Sequence, residues 1–404
     1  MATQSLSPLT SLRFIAAGAV LLCHRPLLES TTRIPFEEHG PAGVSFFFLL
    51  SGFILAYTYR TRLVPWAPRE GWNFLVARFA RLWPVYLLAF LFSFSWMGLE
   101  GFRFVLGKFG VVFWRALAHL TMVQAHIPRH DWHFAFNPPA WSLSAEWTFY
   151  LLFPLILNGL ATGSWVRRVA VFLAASATWA TVSVLYFTAP ADVPPDWLRW
   201  KWLIYICPFT RLFDFTCGVA LGLLFVHLKP AVGPARGTRF WLWGLVEIGA
   251  IGALGAALYF SHQLVAATGR QIPHDVLSAL GYFLPFFALI VWVGALGRGP
   301  LSRVASTRLP VYLGEISYAV YLFHFPILLL LSLHFHPTGW SEGARVWAML
   351  ALDVGFSIAM SALSYHLYEV PLRHWLRKKL SWSAPAVAAP VAEEQRPEPR
   401  RLAA

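Results

Sequence analysis

Long apolar stretches recur along the whole chain and are separated by shorter polar segments. An apolar run of about 18 or more residues is long enough to cross a bilayer as a helix. The pattern predicts ten such helices, at residues 8–28, 40–60, 81–99, 142–160, 168–188, 205–227, 239–261, 276–296, 311–333 and 345–367. The fold class that follows is all-α, a polytopic membrane bundle of about ten transmembrane helices.

Two segments depart from this pattern. Residues 103–125 are apolar but contain Lys108 and Arg115, and we interpret them as a helix that lies at the membrane interface or dips into it. From Ser381 onward the sequence is rich in Ala, Pro, Glu and Arg, a composition typical of disorder. The predicted organisation is a transmembrane domain at 1–380 and a disordered cytoplasmic tail at 381–404.

The basic residues predict the orientation of the bundle, because cytoplasmic loops of membrane proteins are enriched in Lys and Arg. Alternate connections and the C-terminal segment carry most of them: Arg60, Arg62, Arg69, Arg78, Arg81, Arg167, Arg168, Lys229, Arg236, Arg239, Arg298, Arg303, Arg308, Arg373, Arg377, Lys378 and Lys379. Both termini are therefore predicted to be cytoplasmic, in agreement with an even number of helices.

Composition supports the membrane interpretation and removes one alternative. Only 13% of the 404 residues are charged, against roughly 25% in soluble domains. The net charge of +13 comes from basic residues in short loops, so it does not indicate a nucleic-acid partner. Cys23, Cys207 and Cys217 have neither CxxC nor metal-ligand spacing and are interpreted as packing residues, and no metal site is predicted.

Ionisable side chains inside an apolar helix cost about 2.5–3.5 kcal/mol each on insertion scales, so they mark candidate functional positions. Arg13 and His24 lie eleven residues apart in the first predicted helix, which places them on nearly the same face about 16 Å apart. The face carries a cation towards the cytoplasm and a proton-transfer group towards the outer half. The alternative is an arginine that snorkels and a histidine that only packs.

Further candidates lie on other helices. Arg78 and Arg81 precede the third helix with i, i+3 spacing, which favours either a phosphate clamp or a positive-inside anchor. Glu146 lies about one turn into the fourth helix, near the outer surface, where a carboxylate suits base catalysis or sugar binding. His324 is predicted at mid-depth within a few ångströms of His24. Arg211 and Asp214 are predicted to form a structural pair.

These residues resemble those of membrane-bound acyltransferase family 3, the O-acetylases of bacterial surface polysaccharides, over about residues 8–375. The matching positions are Leu12, Arg13, His24, Gly43 to Phe48, Leu50 to Phe53, Arg78, Arg81, Pro84, Tyr86, Trp141 to Leu143, Glu146, Phe149, Tyr150, Pro208, Arg211, Phe215, Gly218, Gly314, Ile316 to Tyr318, Tyr321, Leu322, His324 to Pro326, Tyr368, Glu369 and Pro371. The chain departs from the family pattern at Ser11, where an Asp is usual, which leaves Arg13 without its expected neighbour.

The resemblance implies an acyl-CoA donor, most often acetyl-CoA, and a hydroxyl acceptor on a saccharide or lipid-linked saccharide outside the cytoplasm. It implies that His24 is a general base or carries the acyl group, and that Arg78 and Arg81, with Arg13, bind the coenzyme A phosphates. Glu146 is expected to orient His24 or bind the sugar, and His324 to stabilise the oxyanion. No permanently bound cofactor is expected, and the protein is expected in the bacterial inner membrane.

Some members of the family carry a C-terminal esterase-like domain, which this chain is not expected to have. The acyl group is therefore expected to pass directly to the acceptor or to a separate extracytoplasmic protein. Two other function classes stay open. A transporter or flippase would line its path with the same arginines and histidines, and a structural or sensory membrane protein would tolerate their replacement. The acyl group, the acceptor and the oligomeric state have no readable signal in the sequence.

Overall fold

The computed structural model describes residues 6–24, 37–95, 109–189, 200–228, 230–267 and 272–382, and these form helices and connections without a β-strand. We number the main helices as follows: α1 Ser7–Cys23, α2 Gly40–Leu63, α3 Pro68–Ser95, α4 Phe109–Leu120, α5 Trp141–Ala161, α6 Trp165–Thr188, α7 Pro208–Leu228, α8 Thr238–Ala267, α9 His274–Ala279, α10 Leu284–Leu296, α11 Pro300–Ala305, α12 Arg308–His334, α13 Glu342–Ser364 and α14 Val370–Leu380. The predicted all-α membrane bundle is confirmed.

Eight of the helical stretches in the described part of the chain are long and apolar enough to cross a membrane. The first and eighth predicted spans are the two that fall short. The first corresponds to α1, which has 17 residues, and its predicted end at 25–28 lies outside the described residues. The eighth is divided into α9 and α10, because the chain turns at Gly281, where φ is +85°.

The third helix begins earlier than predicted. It starts at Pro68 instead of residue 81, since proline is favoured in the first turn of a helix, where its missing N–H is not needed. Arg78 and Arg81 therefore lie about three turns inside α3 and not in front of it. The predicted end at 96–99 lies outside the described residues.

Helix α4 covers the described part of the ambiguous segment 103–125. Its 12 residues extend about 18 Å, less than the roughly 30 Å of a bilayer core. Residues 103–108, directly before it, lie outside the described part, so the interpretation of the segment as an interfacial helix stays a prediction.

Glycines bring two helix pairs into close contact. A β-carbon at Gly52 would lie 2.1 Å from the carbonyl oxygen of Phe215, so α2 and α7 meet backbone to backbone. A β-carbon at Gly314 would lie 2.0 Å from the carbonyl oxygen of Thr10, so α1 and α12 do the same. Small residues permit this approach in membrane helices. The second contact holds the helix of His24 directly against the helix of His324.

The basic ends of the helices lie on one side of the bundle. At the start of α3, Arg69 and Trp72 donate hydrogen bonds to the carbonyl oxygens of Trp382, just beyond α14, and of Leu380, its last residue. The end of α14 thus adjoins the start of α3, which follows the last turn of α2 with Arg60 and Arg62. We call this side, predicted to be cytoplasmic, the inner end, and the opposite side the outer end. Of the predicted tail 381–404, residues 383–404 lie outside the described part.

Candidate active site

Two histidines on neighbouring helices form the centre of the site. His24 follows the last turn of α1, and His324 lies on α12 with no solvent-exposed surface. The Nε2 atom of His324 is 3.2 Å from the Nδ1 atom of His24, and the ring centroids are 5.1 Å apart. The structure therefore brings together the two histidines that sequence analysis expected to be close.

The hydrogen-bond partners assign the tautomers of both rings. The Nδ1 atom of His24 is 2.9 Å from the carbonyl oxygen of Val20, and that of His324 is 3.3 Å from the carbonyl oxygen of Val320. Carbonyl oxygens only accept, so each Nδ1 carries a hydrogen. His24 can then share its N–H with Nε2 of His324, which accepts, and the lone pair on Nε2 of His24 is left for chemistry.

A small cavity of about 50 Å³ lies further in from the histidine pair. Tyr321 joins the two, because its ring lines the cavity and its centroid is 5.9 Å from that of His324. The hydroxyl of Tyr321 is held at 2.8 Å by the hydroxyl of Ser142 and at 3.0 Å by the carbonyl of Pro139. The cavity is lined by Arg13, Val44, Phe47, Phe48, Ser142, Leu143, Glu146, Ser317, Tyr318 and Tyr321.

Glu146 lies deeper than predicted. Its Oε1 atom accepts hydrogen bonds from the hydroxyls of Ser51, at 3.0 Å, and of Tyr150. Ser51 is twelve residues before Leu63 at the inner end of α2, which corresponds to about 18 Å, so the carboxylate is near the middle of the bundle. The expectation of a position near the outer surface was wrong, and no contact with His24 is among those of the described residues.

The connection before α5 explains this depth. Gln124 and Asn137 are almost fully buried, and the amide of Asn137 donates to the carbonyl of Leu322 in the middle of α12 at 2.9 Å. The connection folds back into the outer half of the bundle, so α5 begins inside it. In the same connection, burial lowers the pKa of His133 to about 4.

The two arginines of α3 face different surroundings. Arg78 donates to the hydroxyl of Tyr59 at 2.9 Å and lies over the rings of Tyr59 and Phe74, all of them uncharged partners. Arg81 forms a salt bridge with the fully buried Glu369 and donates to the carbonyl of Glu315 at 3.2 Å. The two arginines therefore differ, because Arg81 is paired with a carboxylate and Arg78, among the described residues, is not, and their i, i+3 spacing does not make them a uniform phosphate clamp.

Arg13 shares the cavity with Glu146 and interacts electrostatically with it and with both arginines of α3. Ser11, which stands where the family pattern has Asp, donates its hydroxyl proton to the carbonyl of Ala305. Ser11 thus joins α1 to α11 through this hydrogen bond. The carboxylate that shares the cavity with Arg13 comes from Glu146 on α5.

The predicted pair of Arg211 and Asp214 is confirmed. The Nη2 atom of Arg211 is 2.6 Å from Oδ2 of Asp214, and the side chains are 0% and 1% exposed. Arg211 also donates to the hydroxyl of Ser45 at 2.6 Å, and it lies over the rings of Phe48 and Tyr205. The pair joins α7 to α2, and its charges balance within the bundle.

Two further cavities flank the outer half of α12. One, of about 560 Å³, is apolar and begins at Ile327, three residues beyond His324; Phe92, Phe356 and Met360 also line it. The other, of about 520 Å³, contains charged and aromatic groups, among them Arg115, His130, Asp131, Phe134 and Phe136. The first could take an acyl or lipid chain, and the second has the mixture of polar and aromatic groups that suits a saccharide.

Residues 9–369 match the family described as "Acyltransferase domain". The acyltransferase MdmB of Streptomyces mycarofaciens is 29% identical over 340 residues, 80% of this chain and 79% of that protein. The peptidoglycan O-acetyltransferase OatA of Listeria monocytogenes is 24% identical over 389 residues, 90% of this chain. A putative O-acetyltransferase of Staphylococcus aureus is 22% identical over 252 residues, 62% of this chain.

The matches differ in how much of the relative they cover. The match spans only 55% of the Listeria protein and 38% of the Staphylococcus protein. No solved structure matches the chain.

Proposed function

This multi-pass membrane protein belongs to membrane-bound acyltransferase family 3 and is an enzyme that transfers acyl groups, and from that premise we propose its substrates and mechanism. The proposed reaction moves an acyl group, in the simplest case acetyl, from cytoplasmic acyl-CoA to a hydroxyl of an extracytoplasmic or lipid-linked saccharide. The observation that carries the proposal is the contact of His24 with His324 just beyond a cavity lined by Arg13 and Glu146.

We assign the binding of the acyl-CoA phosphates to Arg78. Its hydrogen-bond and ring partners are uncharged, so its positive charge is available to an anion. Arg81 is already bound to Glu369, and it can contribute only if that carboxylate releases it. Arg13 lies between this level and the histidines, next to the path that the pantetheine arm of acyl-CoA would follow.

The chemical step is assigned to His24 as general base. Nε2 of His24 takes the proton from the acceptor hydroxyl, whose oxygen forms a bond to the thioester carbonyl carbon. The carbon–sulfur bond then breaks, and the imidazolium returns the proton to the departing thiolate, which leaves as free coenzyme A. An imidazole suits this role because its ordinary pKa of about 6.5 is close to neutral pH.

His324 is assigned a positioning role in place of the oxyanion stabilisation expected from the sequence. With its Nδ1 hydrogen directed at the Val320 carbonyl, the neutral ring has no second N–H to offer an oxyanion. Its Nε2 atom instead accepts from His24, which fixes the His24 ring and favours the imidazolium that forms during the reaction.

The two cavities beside α12 support a lipid-linked acceptor. An apolar groove three residues beyond His324 suits a lipid chain, and the second cavity, with its charged and aromatic groups, suits the saccharide that the chain carries. The names of the Listeria and Staphylococcus relatives support an acetyl donor. We place the enzyme in a bacterial cell membrane, where it acylates the acceptor directly or through a separate extracytoplasmic protein.

The proposal is tested by release of free coenzyme A from acetyl-CoA by purified protein, with and without a lipid-linked saccharide. We expect acceptor-dependent release, reduced about 10²–10⁴-fold in His24→Ala through loss of the general base. His336→Ala, at an exposed histidine of the outer end, is the control and should keep full activity.

Each rival gives a distinct result in the same assay. A transporter or flippase would release no coenzyme A, and normal activity in His24→Ala would overturn the catalytic assignment. Release of one equivalent of coenzyme A per chain without acceptor would show that His24 forms an acyl-histidine intermediate and does not act as a general base.

A further inference from the structure

Four side chains with metal-binding groups meet at the outer end of the bundle, and none of them belongs to the histidine pair of the active site. They are Glu38 and His39 just before α2, His262 near the end of α8 and His274 at the start of α9. One potential ligand atom from each lies within 4.8 Å of those of the other three. Among the described residues, these contribute three imidazoles and one carboxylate from three separate parts of the chain.

The contacts within this cluster are close. Nε2 of His262 is 2.7 Å from Oε1 of Glu38, and Nε2 of His274 is 3.9 Å from Oε2 of the same carboxylate. The ring centroids of His39 and His274 are 4.5 Å apart, and those of His262 and His274 are 4.7 Å apart. Glu38 therefore faces two histidines at once, and the third packs against them.

One ring nitrogen gives an independent reason to expect a ligand. Nε2 of His274 faces Glu38, and the Nδ1 atom of the same ring is buried with no hydrogen-bond partner in the described part of the chain. Buried polar atoms in proteins nearly always have a partner. His39 shows the outer contact that metal-bound histidines use, since its Nε2 atom is 3.1 Å from the hydroxyl of Ser261.

We propose that Glu38, His39, His262 and His274 form a binding site for one Zn²⁺ ion. Nitrogen and oxygen ligands in a set of four match the preference of zinc for tetrahedral coordination. Ligand atoms around four-coordinate zinc are about 3.3 Å apart, so the widest pair in the cluster must close by about 1.5 Å. His262 and Glu38 are 54% and 48% exposed, and rotation of these side chains can supply that movement.

The site would serve a structural purpose. An ion there would fasten the turn before α2 to the end of α8 and the start of α9 at the outer end. Helix α2 carries Ser51, which binds the Glu146 carboxylate in the active site. The proposal does not depend on acyl transfer. No metal site was predicted from the sequence, because Glu38 and His39 lie more than 200 residues before His262 and His274 and the four residues form no motif.

The test is equilibrium zinc binding by the full chain, purified in detergent with a tag that contains no histidine and stripped with a chelator. We expect one Zn²⁺ per chain, with affinity at least about tenfold lower in Glu38→Gln and in His262→Ala. Both are exposed positions, so neither change should prevent folding. His336→Ala, at an exposed histidine of the same end, is the matched control and should bind as the unmodified chain does.

Thermal unfolding gives a second readout, because an ion that binds only the folded state raises the unfolding temperature. Zinc should raise the Tm of the stripped chain and of His336→Ala, and have a smaller effect on Glu38→Gln and His262→Ala. Absence of stoichiometric binding would overturn the proposal, as would equal zinc affinity in all four proteins.

Discussion

Two arginines inside the bundle, Arg211 and Arg78, differ in how their charge is balanced. Arg211 is completely buried, 2.6 Å from Asp214 and bonded to Ser45, so its charge is cancelled by a neighbour three residues away. Arg78 is bonded to the neutral hydroxyl of Tyr59 and lies over two aromatic rings, and no ion pair joins it to a carboxylate of the described residues.

The difference supports a structural role for Arg211 and agrees with the proposed binding role of Arg78. Burying a charge is costly unless a partner compensates it. A buried ion pair such as Arg211 and Asp214 therefore needs only a structural role to account for its presence. An arginine with only neutral partners keeps a field that attracts an anion. Arg81 is intermediate, because Glu369 binds it but also lies 3.5 Å from Arg373, so two cations share one carboxylate.

The largest effect is expected from breaking the closed pair. Asp214→Asn leaves Arg211 buried without a counter-ion, which costs about 3–5 kcal/mol in the free energy of unfolding. Denaturant unfolding in detergent measures it. The double variant Arg211→Met, Asp214→Leu should recover most of the stability, because both charges are then absent. An unchanged stability in Asp214→Asn, combined with weaker binding of acyl-CoA, would show that Arg211 binds acyl-CoA.

A smaller effect is expected at the carboxylate of the cavity. Glu146→Gln keeps the shape of the side chain and a hydrogen bond from Ser51, but it removes the charge that balances Arg13. Because hydrogen bonds to charged groups contribute about 1.5–3 kcal/mol, kcat/KM should fall about 10–100-fold with little loss of stability. Steady-state kinetics measures this. Glu70→Gln, near the inner end, is the control, and equal kinetics in the two variants would remove Glu146 from the site.

The smallest effect is expected for the open arginine itself. Arg78→Gln removes the proposed charged contact to an acyl-CoA phosphate, which should raise KM for acyl-CoA about tenfold and leave kcat nearly unchanged. Arg60→Gln, at an exposed arginine of the inner end, should leave KM unchanged. A fall in kcat with constant KM would show that Arg78 acts on the chemical step and not on donor binding.

Hydropathy predicted most of the helices, because spans are long and each is a local property of the sequence. It failed where local chemistry changes the path of the chain. Pro68 starts α3 thirteen residues before the predicted boundary, and the turn at Gly281 divides the eighth span. Neither feature alters mean hydropathy enough to be visible in a window of about 19 residues.

The candidate site was predictable in its residues and less so in its geometry. The proximity of His24 and His324 followed from their depths on two spans. The depth of Glu146 did not, because a connection that folds back into the bundle looks like any other loop in the sequence. The partner of Arg81 is Glu369, 288 residues away, and nothing local to either residue indicates the pair.

The central claim is that acyl-CoA binds at the inner, arginine-bearing end while His24 acts on an acceptor nearer the outer end. Proteoliposomes with the protein in one orientation test it most directly, with acetyl-CoA supplied on one side at a time and the lipid-linked saccharide present. The account predicts free coenzyme A only when acetyl-CoA faces the inner end, and almost none with His24→Ala. Release from the outer side, or equal release by His24→Ala, would contradict it.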